Sequence, residues 1–265
     1  MALITGLFIL LWTPWAEGGN TPAKTSPNET GVPILLYHRF GPSVADSMTV
    51  TTPVFRSHLE YLRDKGFTVI PLKQLIDYYL GKGPRPLPSS VVIVTDDAHK
   101  SVYTDMLPLV KEFKVPVTLF VYPSAVSNAS YAMTWDQLRE VKKTGYFDIQ
   151  GHTFWHPNFK KEKRRLSTVE YDKVVDMQLR KSKERLNREL AVNVDMLAWP
   201  FGIYDDDLIK KAADAGYRAA FTIERRQAHS TDHVMKIPRF LMQDRDRGKA
   251  FELILGPPPA RRINK

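Results

Sequence analysis

Apolar positions along the chain fall into two arrangements, short unbroken runs and longer runs with helical spacing, and the two alternate. Residues 32–37 (VPILLY), 91–95 (VVIVT) and 115–121 (VPVTLFV) are continuous apolar stretches of strand length. Such stretches form strands buried on both faces, as parallel sheets require. Shorter runs at 67–70, 147–151, 195–199, 217–222 and 235–237 read as further strands. Between them, Thr52 and Pro53 open a helix that Gly66 closes, residues 72–80 form a second, and 101–114 a third. Thr134 with Gln137, and Ser167 with Glu170, have capping-box spacing and open two more. A last helix covers about 205–215, with Gly216 behind it. Strand and helix alternate seven or eight times, which predicts a closed or nearly closed parallel β/α barrel in one domain.

Composition narrows the chemistry. The chain has 265 residues with 43% apolar content, enough for one α/β domain with a sizeable core. Cysteine is absent, which excludes disulfides and thiolate metal sites and leaves His, Asp and Glu as strong ligands. A formal charge of +9 would draw an anionic partner. Lys and Arg are nevertheless spread along helices beside Glu, as at 160–165 and 180–188, which reads as solvated helix faces and against nucleic-acid binding. Residues 2–12 (ALITGLFILLW) are an apolar run too short to cross a bilayer comfortably. Their layout suggests a secretory signal peptide or N-terminal anchor over 1–18, although no Lys or Arg precedes the run. A polar linker over 19–30 and one domain over 31–265 follow. An extracytoplasmic protein is expected, in the periplasm, secreted or at the cell envelope, with membrane association open.

The run at 91–95 ends in two adjacent carboxylates, Asp96 and Asp97. At a strand end, where barrel active sites are built, such a pair is relieved by a cation held by one carboxylate while the other stays a base. The plain alternative is the acidic first turn of the following helix. His152 and His156 follow a second strand end at a spacing of four, which on a helical turn places both imidazoles on one side. One Asp and two His make three ligands with a position left for water, the layout of a catalytic site.

VTDDAHKSVY, GHTFWH, AWPFG and DAGY, in that order, resemble the signature segments of the polysaccharide deacetylases, carbohydrate esterase family 4. The similarity covers residues 32 to 240. It implies an α/β fold, a distorted (β/α)7–8 barrel, that hydrolyses N-acetyl groups on amino-sugar polymers with a divalent metal. Zn2+ leads; Co2+, Ni2+ and Fe2+ suit the same ligands. Carried onto this chain, Asp97, His152 and His156 are the implied metal ligands and Asp96 the general base. The backbone N–H around Phe201 is the implied oxyanion donor. The family's usual C-terminal acid histidine is missing here, and the matching piece is ILLYH, ending in His38. That shifted order resembles the deacetylases of poly-β-1,6-N-acetylglucosamine in biofilm export, and makes His38 the candidate acid.

Two departures stand out. Ala98 replaces the glycine that usually follows Asp-Asp, and Ala198 replaces the arginine that orients the base, a role Arg239 could fill. Trp199, Phe201 and Tyr37 are candidates for contact with substrate, with a core position as the alternative for each. The expected partner is an N-acetylated polysaccharide. Two rival functions remain: a non-catalytic glycan-binding protein on the same scaffold, and a deacetylase of peptidoglycan, chitin oligomers or another small amide.

Overall fold

A curled parallel sheet organises the chain, and the computed structural model describes it over residues 31–259. The expected signal peptide or anchor at 1–18 and the linker at 19–30 lie outside the described residues. In chain order the strands are β1 (Ile34–Tyr37), β2 (Arg39–Gly41), β3 (Thr49–Thr51), β4 (Thr68–Val69) and β5 (Ser90–Asp96). They continue with β6 (Val117–Val121), β7 (Phe147–Gly151), β8 (Met196–Ala198), β9 (Ala219–Phe221) and β10 (Phe240–Leu241). The sheet runs β10-β1-β5-β6-β7-β8-β9, with β4 paired to the lower end of β5, while β2 and β3 pair apart from it. The architecture is the distorted (β/α)7 barrel, one domain.

Alternation along the strands separates two apolar layers. Ile34, Leu36, Val92, Val94, Phe120 and Phe221 pack together on one side of the sheet. Leu35, Tyr37, Ile93, Leu119 and Ile149 belong to the other layer, which packs on the helices. Each such side chain contributes about 1.5–3 kcal/mol by leaving water. Parallel register brings the upper strand ends level, with Tyr37 opposite Thr95 and Asp96 opposite Phe120. Residues following β1, β5 and β7 therefore emerge on one rim.

The helices are α1 (Thr52–Asp64), α2 (Leu72–Tyr79), α3 (Leu107–Phe113), α4 (Trp135–Lys143), α5 (Phe159–Arg165), α6 (Thr168–Leu190), α7 (Asp206–Asp214) and α8 (Lys249–Leu255). Both capping boxes form, at Thr134 on α4 and Ser167 on α6. The third helix covers the expected stretch, with Lys100 and Ser101 helical and Val102–Met106 wound as a π-helix ahead of α3. One expectation is corrected. The last strand is β10 rather than 235–237, of which only Ile237 makes a single bridge, to Phe221. No helix among the described residues is long and apolar enough to cross a membrane.

One buried polar link ties the C-terminal segment to the barrel. His58 Nε2 lies 2.6 Å from the Asp246 carbonyl, which can only accept, so that nitrogen carries the proton. Nδ1 then accepts from the Tyr37 hydroxyl at 3.0 Å. Burial pushes the His58 imidazole down to about 4 from its ordinary 6.5. Protons taken up by the unfolded chain but refused by the fold cost stability as pH falls from 6.5 to about 4, by roughly 3 kcal/mol from this group. Denaturant unfolding across that window should show a steeper loss in the parent than in His58→Gln, which has no proton to accept. Coincident slopes would contradict the assignment.

Candidate active site

A cavity of about 680 Å³ opens on the upper rim, lined among others by His38, Asp96, Asp97, His152, His156 and Phe201. Each of these residues follows a strand or ends one. His38 directly follows β1, Asp96 ends β5 with Asp97 next, and His152 follows β7.

Asp96 is buried, and the fully buried Arg239 clamps it with two parallel bonds of 2.9 Å, one to each carboxylate oxygen. Arg239 Nε donates to the Thr222 carbonyl at 2.9 Å, which fixes the fork in its plane. Burial alone would raise the Asp96 carboxyl, but Arg239, with His152 and His38, holds it below the ordinary carboxylate value.

Asp97 adopts φ 75°, a left-handed conformation that Asp tolerates better than most residues. Its Oδ1 lies 3.5 Å from His152 Nε2 and 3.8 Å from His156 Nε2. One donor atom from each of Asp97, His152 and His156 falls within 4.8 Å of the others. His152 Nδ1 is 2.7 Å from the Ala198 carbonyl, so Nδ1 carries a proton and Nε2 is the nitrogen turned toward Asp97; against its burial, Asp96 and Asp97 raise the ring's pKa. A carbonyl partner of this kind is what orients a metal-ligating histidine. Asp97 Oδ1 is buried without a hydrogen-bond partner. Lone pairs and a carboxylate facing one another need a cation or proton between them, and these three donors fit a divalent ion. Burial lowers His156 to about 4, so its ring is neutral and free to ligate near neutrality.

The two histidines do not share a helical turn. Thr153 at φ 63° and His156 at φ 60° make an irregular turn, because the strand ends at Gly151 and Pro157 cannot continue a helix. Tyr37 is also corrected: it points to the helix layer, fully buried against His58 and away from the cavity. The Trp199 ring is buried but does line the cavity, its Nε1 donating to the Met235 carbonyl at 2.9 Å. Phe201 behaves differently. It adopts φ 57° and exposes its ring beside His156, centroids 4.6 Å apart. Gly202, at φ 67°, lets this turn approach Ile223, where an added Cβ would come within 2.6 Å of the side chain.

Ala98 sits at φ 56° with its methyl fully buried. A glycine there would relieve about 1–2 kcal/mol of left-handed strain. It would also lose about 0.8 kcal/mol of methyl burial and add about 0.5–1 kcal/mol of backbone entropy cost. The terms cancel, so Ala98→Gly should unfold within about 1 kcal/mol of the parent. A large gain would mean that the turn is strained in earnest.

Arg39, Met48, Tyr131, Ile223 and Leu241 also line the cavity, and no motif in the sequence marked them. Arg39 had one usable signal, its place beside His38 at the strand end. Tyr131 is placed by a hydroxyl–hydroxyl bond of 2.6 Å to Tyr122.

A carboxylate–imidazole cluster beside a clamped carboxylate, at the carboxyl ends of parallel strands, defines a barrel hydrolase. Residues 84–220, 137 of the 265, match the family model for polysaccharide deacetylase, and the chain belongs to that family. It is accordingly a polysaccharide N-deacetylase. It is 26% identical over 254 residues to the poly-β-1,6-N-acetyl-D-glucosamine N-deacetylase of Staphylococcus aureus, covering 89% of this chain and 86% of that one. The Staphylococcus epidermidis protein of the same name is 27% identical over 212 residues, 78% of this chain and 71% of its own. Among solved structures, the Streptococcus pyogenes deacetylase PplD in complex with acetate superposes with a TM-score of 0.76 at 20% identity, over 86% of this chain and all 100% of that one. IcaB from Ammonifex degensii gives 0.73 at 23% identity, over 82% and 94%.

Proposed function

We propose that this enzyme removes N-acetyl groups from a poly-β-1,6-N-acetylglucosamine-like polymer outside the cytoplasm, using a divalent cation held by Asp97, His152 and His156. The observation that carries the reading is the meeting of the Asp97 carboxylate with two imidazole nitrogens, beside an Asp96 that Arg239 keeps ionised. The polymer is taken from the staphylococcal relatives, whose similarity spans most of both chains. Export is supported by the apolar run at 2–12. Zinc is the first choice for this ligand set.

The cation, when bound, supplies Lewis acidity toward the acetamide carbonyl and the attacking water. Asp96 takes a proton from that water as its oxygen adds to the acetyl carbon. Arg239 keeps the base ionised and correctly turned. The backbone N–H of Phe201 donates to the oxygen that gains charge. The carbon–nitrogen bond then breaks, acetate leaves, and His38 hands a proton to the departing amine. His38 is buried with Nδ1 unpartnered. Burial lowers its pKa below the ordinary 6.5 and the pull of Asp97 and Asp96 offsets this only in part, so a proton on His38 is weakly held and readily passed to the amine.

Acetate release from β-1,6-linked N-acetylglucosamine oligomers, measured before and after chelation, tests the reading. Release that stops with chelator and returns with Zn2+ is expected. Chelator-insensitive release would remove the metal from the account, and inertness toward every acetylated glycan would favour a sugar-binding role.

A further inference from the structure

Helix α6 reaches the active-site turn through one buried amide. Gln178 is fully buried, and its Oε1 accepts the N–H groups of Phe154 and Trp155, each at 3.0 Å. Two donors converge on a single atom, so that atom is the oxygen and the partners fix the orientation of the amide. Three residues along the same helix, Lys181 holds its Nζ 5.1 Å from the centre of the Phe154 ring.

The segment gripped in this way runs from His152 to His156, and its two ends are held unequally. His152 extends β7, with its N–H on the Val121 carbonyl at 2.9 Å and Nδ1 on the Ala198 carbonyl at 2.7 Å. His156 lies beyond the strand. Its own N–H reaches only the Thr153 hydroxyl, at 3.2 Å within the same turn, and both residues occupy the left-handed region. Backbone in that region persists when its surroundings over-determine it. Among the described residues, the hydrogen bonds linking Phe154 and Trp155 to neighbouring elements are the two to Gln178 and one of 3.0 Å from Ser124 N–H to the Phe154 carbonyl, while the His156 ring packs beside Phe201 and Tyr122.

We infer that Gln178 is a positioning residue for the metal centre: by holding the Phe154 and Trp155 amides it sets where His156 stands relative to Asp97 and His152, and so how tightly the three donors grip a cation. The inference rests on the metal-site reading above. The buried stripe of α6 includes Tyr171, Val175, Leu179 and Leu186, and an amide inside that stripe is a polar group kept for its hydrogen bonds.

The test is Zn2+ affinity of the metal-stripped protein, read by competition with a chromogenic chelator and independent of turnover. Gln178→Met keeps the length of the side chain and removes the acceptor. It should weaken Zn2+ by about 10- to 100-fold, the effect of losing a partner behind a ligand. Gln178→Glu keeps an oxygen for both N–H groups and should stay near the parent. Val175→Ala loosens the same helix without touching the turn, and should lower Tm while leaving Zn2+ affinity alone. If Gln178→Met does not fold, Gln178→Asn, one methylene short of the two donors, takes its place with the same expectation. In the unaltered protein the Phe154 and Trp155 amides should be protected from hydrogen exchange. Parental Zn2+ affinity in the Met or Asn variant, or rapid exchange of those amides, would overturn the inference. A parent that binds no Zn2+ would instead overturn the metal-site reading on which it rests.

Discussion

An Asp96→Asn variant should keep its divalent metal and lose about 10²- to 10⁴-fold in kcat, the range assigned to a positioned general base. Asn retains one oxygen to accept from Arg239, whose two bonds to Asp96 are each 2.9 Å, so the variant should still fold. Asp97→Asn should behave differently. It removes the one anionic donor among the three that converge within 4.8 Å, and both bound metal and turnover should fall. Metal content by elemental analysis, set beside acetate release for both variants, separates the roles. Parental turnover in Asp96→Asn would remove it as the base, and full metal content in Asp97→Asn would remove it as a ligand.

Arg239→Met should be the most destabilising single change at the site. Arg239 and Asp96 are both almost without solvent contact, and removing the guanidinium leaves a buried carboxylate unpaired. Breaking such a pair costs about 3–5 kcal/mol. The pH dependence has a definite sign. In the parent the Asp96 carboxyl lies below its ordinary 3.8, so its contribution to stability is present above that value and is lost as pH falls through the lowered one. Without Arg239 only His152 and His38 offset the burial that opposes ionisation, and the acid limb of the pH–rate profile should move upward. Arg239→Lys keeps the charge but not the two-pronged geometry, and should recover part of both effects. An unchanged Tm and acid limb in Arg239→Met would refute the clamp.

Much of this architecture was legible because its physics is local. Continuous apolar runs marked β1, β5 and β6, and the capping boxes at Thr134 and Ser167 marked α4 and α6, since each signal depends on near neighbours in sequence. What escaped depends on tertiary placement. The short pair β2 and β3 has three residues in each strand and no periodicity to read. β10 has two residues, and its place is set by pairing with β1. At the site, the spacing of His152 and His156 was visible, but the irregular turn that carries them depends on Gln178, more than twenty residues away. Tyr37 shows the limit of reading a strand end as a site. Adjacent strand residues face opposite layers, so His38 can line the cavity while its neighbour is packed against His58.

The cation's location is the centre of the account, and anomalous diffraction at the zinc edge from crystals grown with Zn2+ tests it most directly. The account predicts a peak bounded by Asp97 Oδ1, His152 Nε2 and His156 Nε2. A peak elsewhere, or none in protein that still releases acetate, would contradict it.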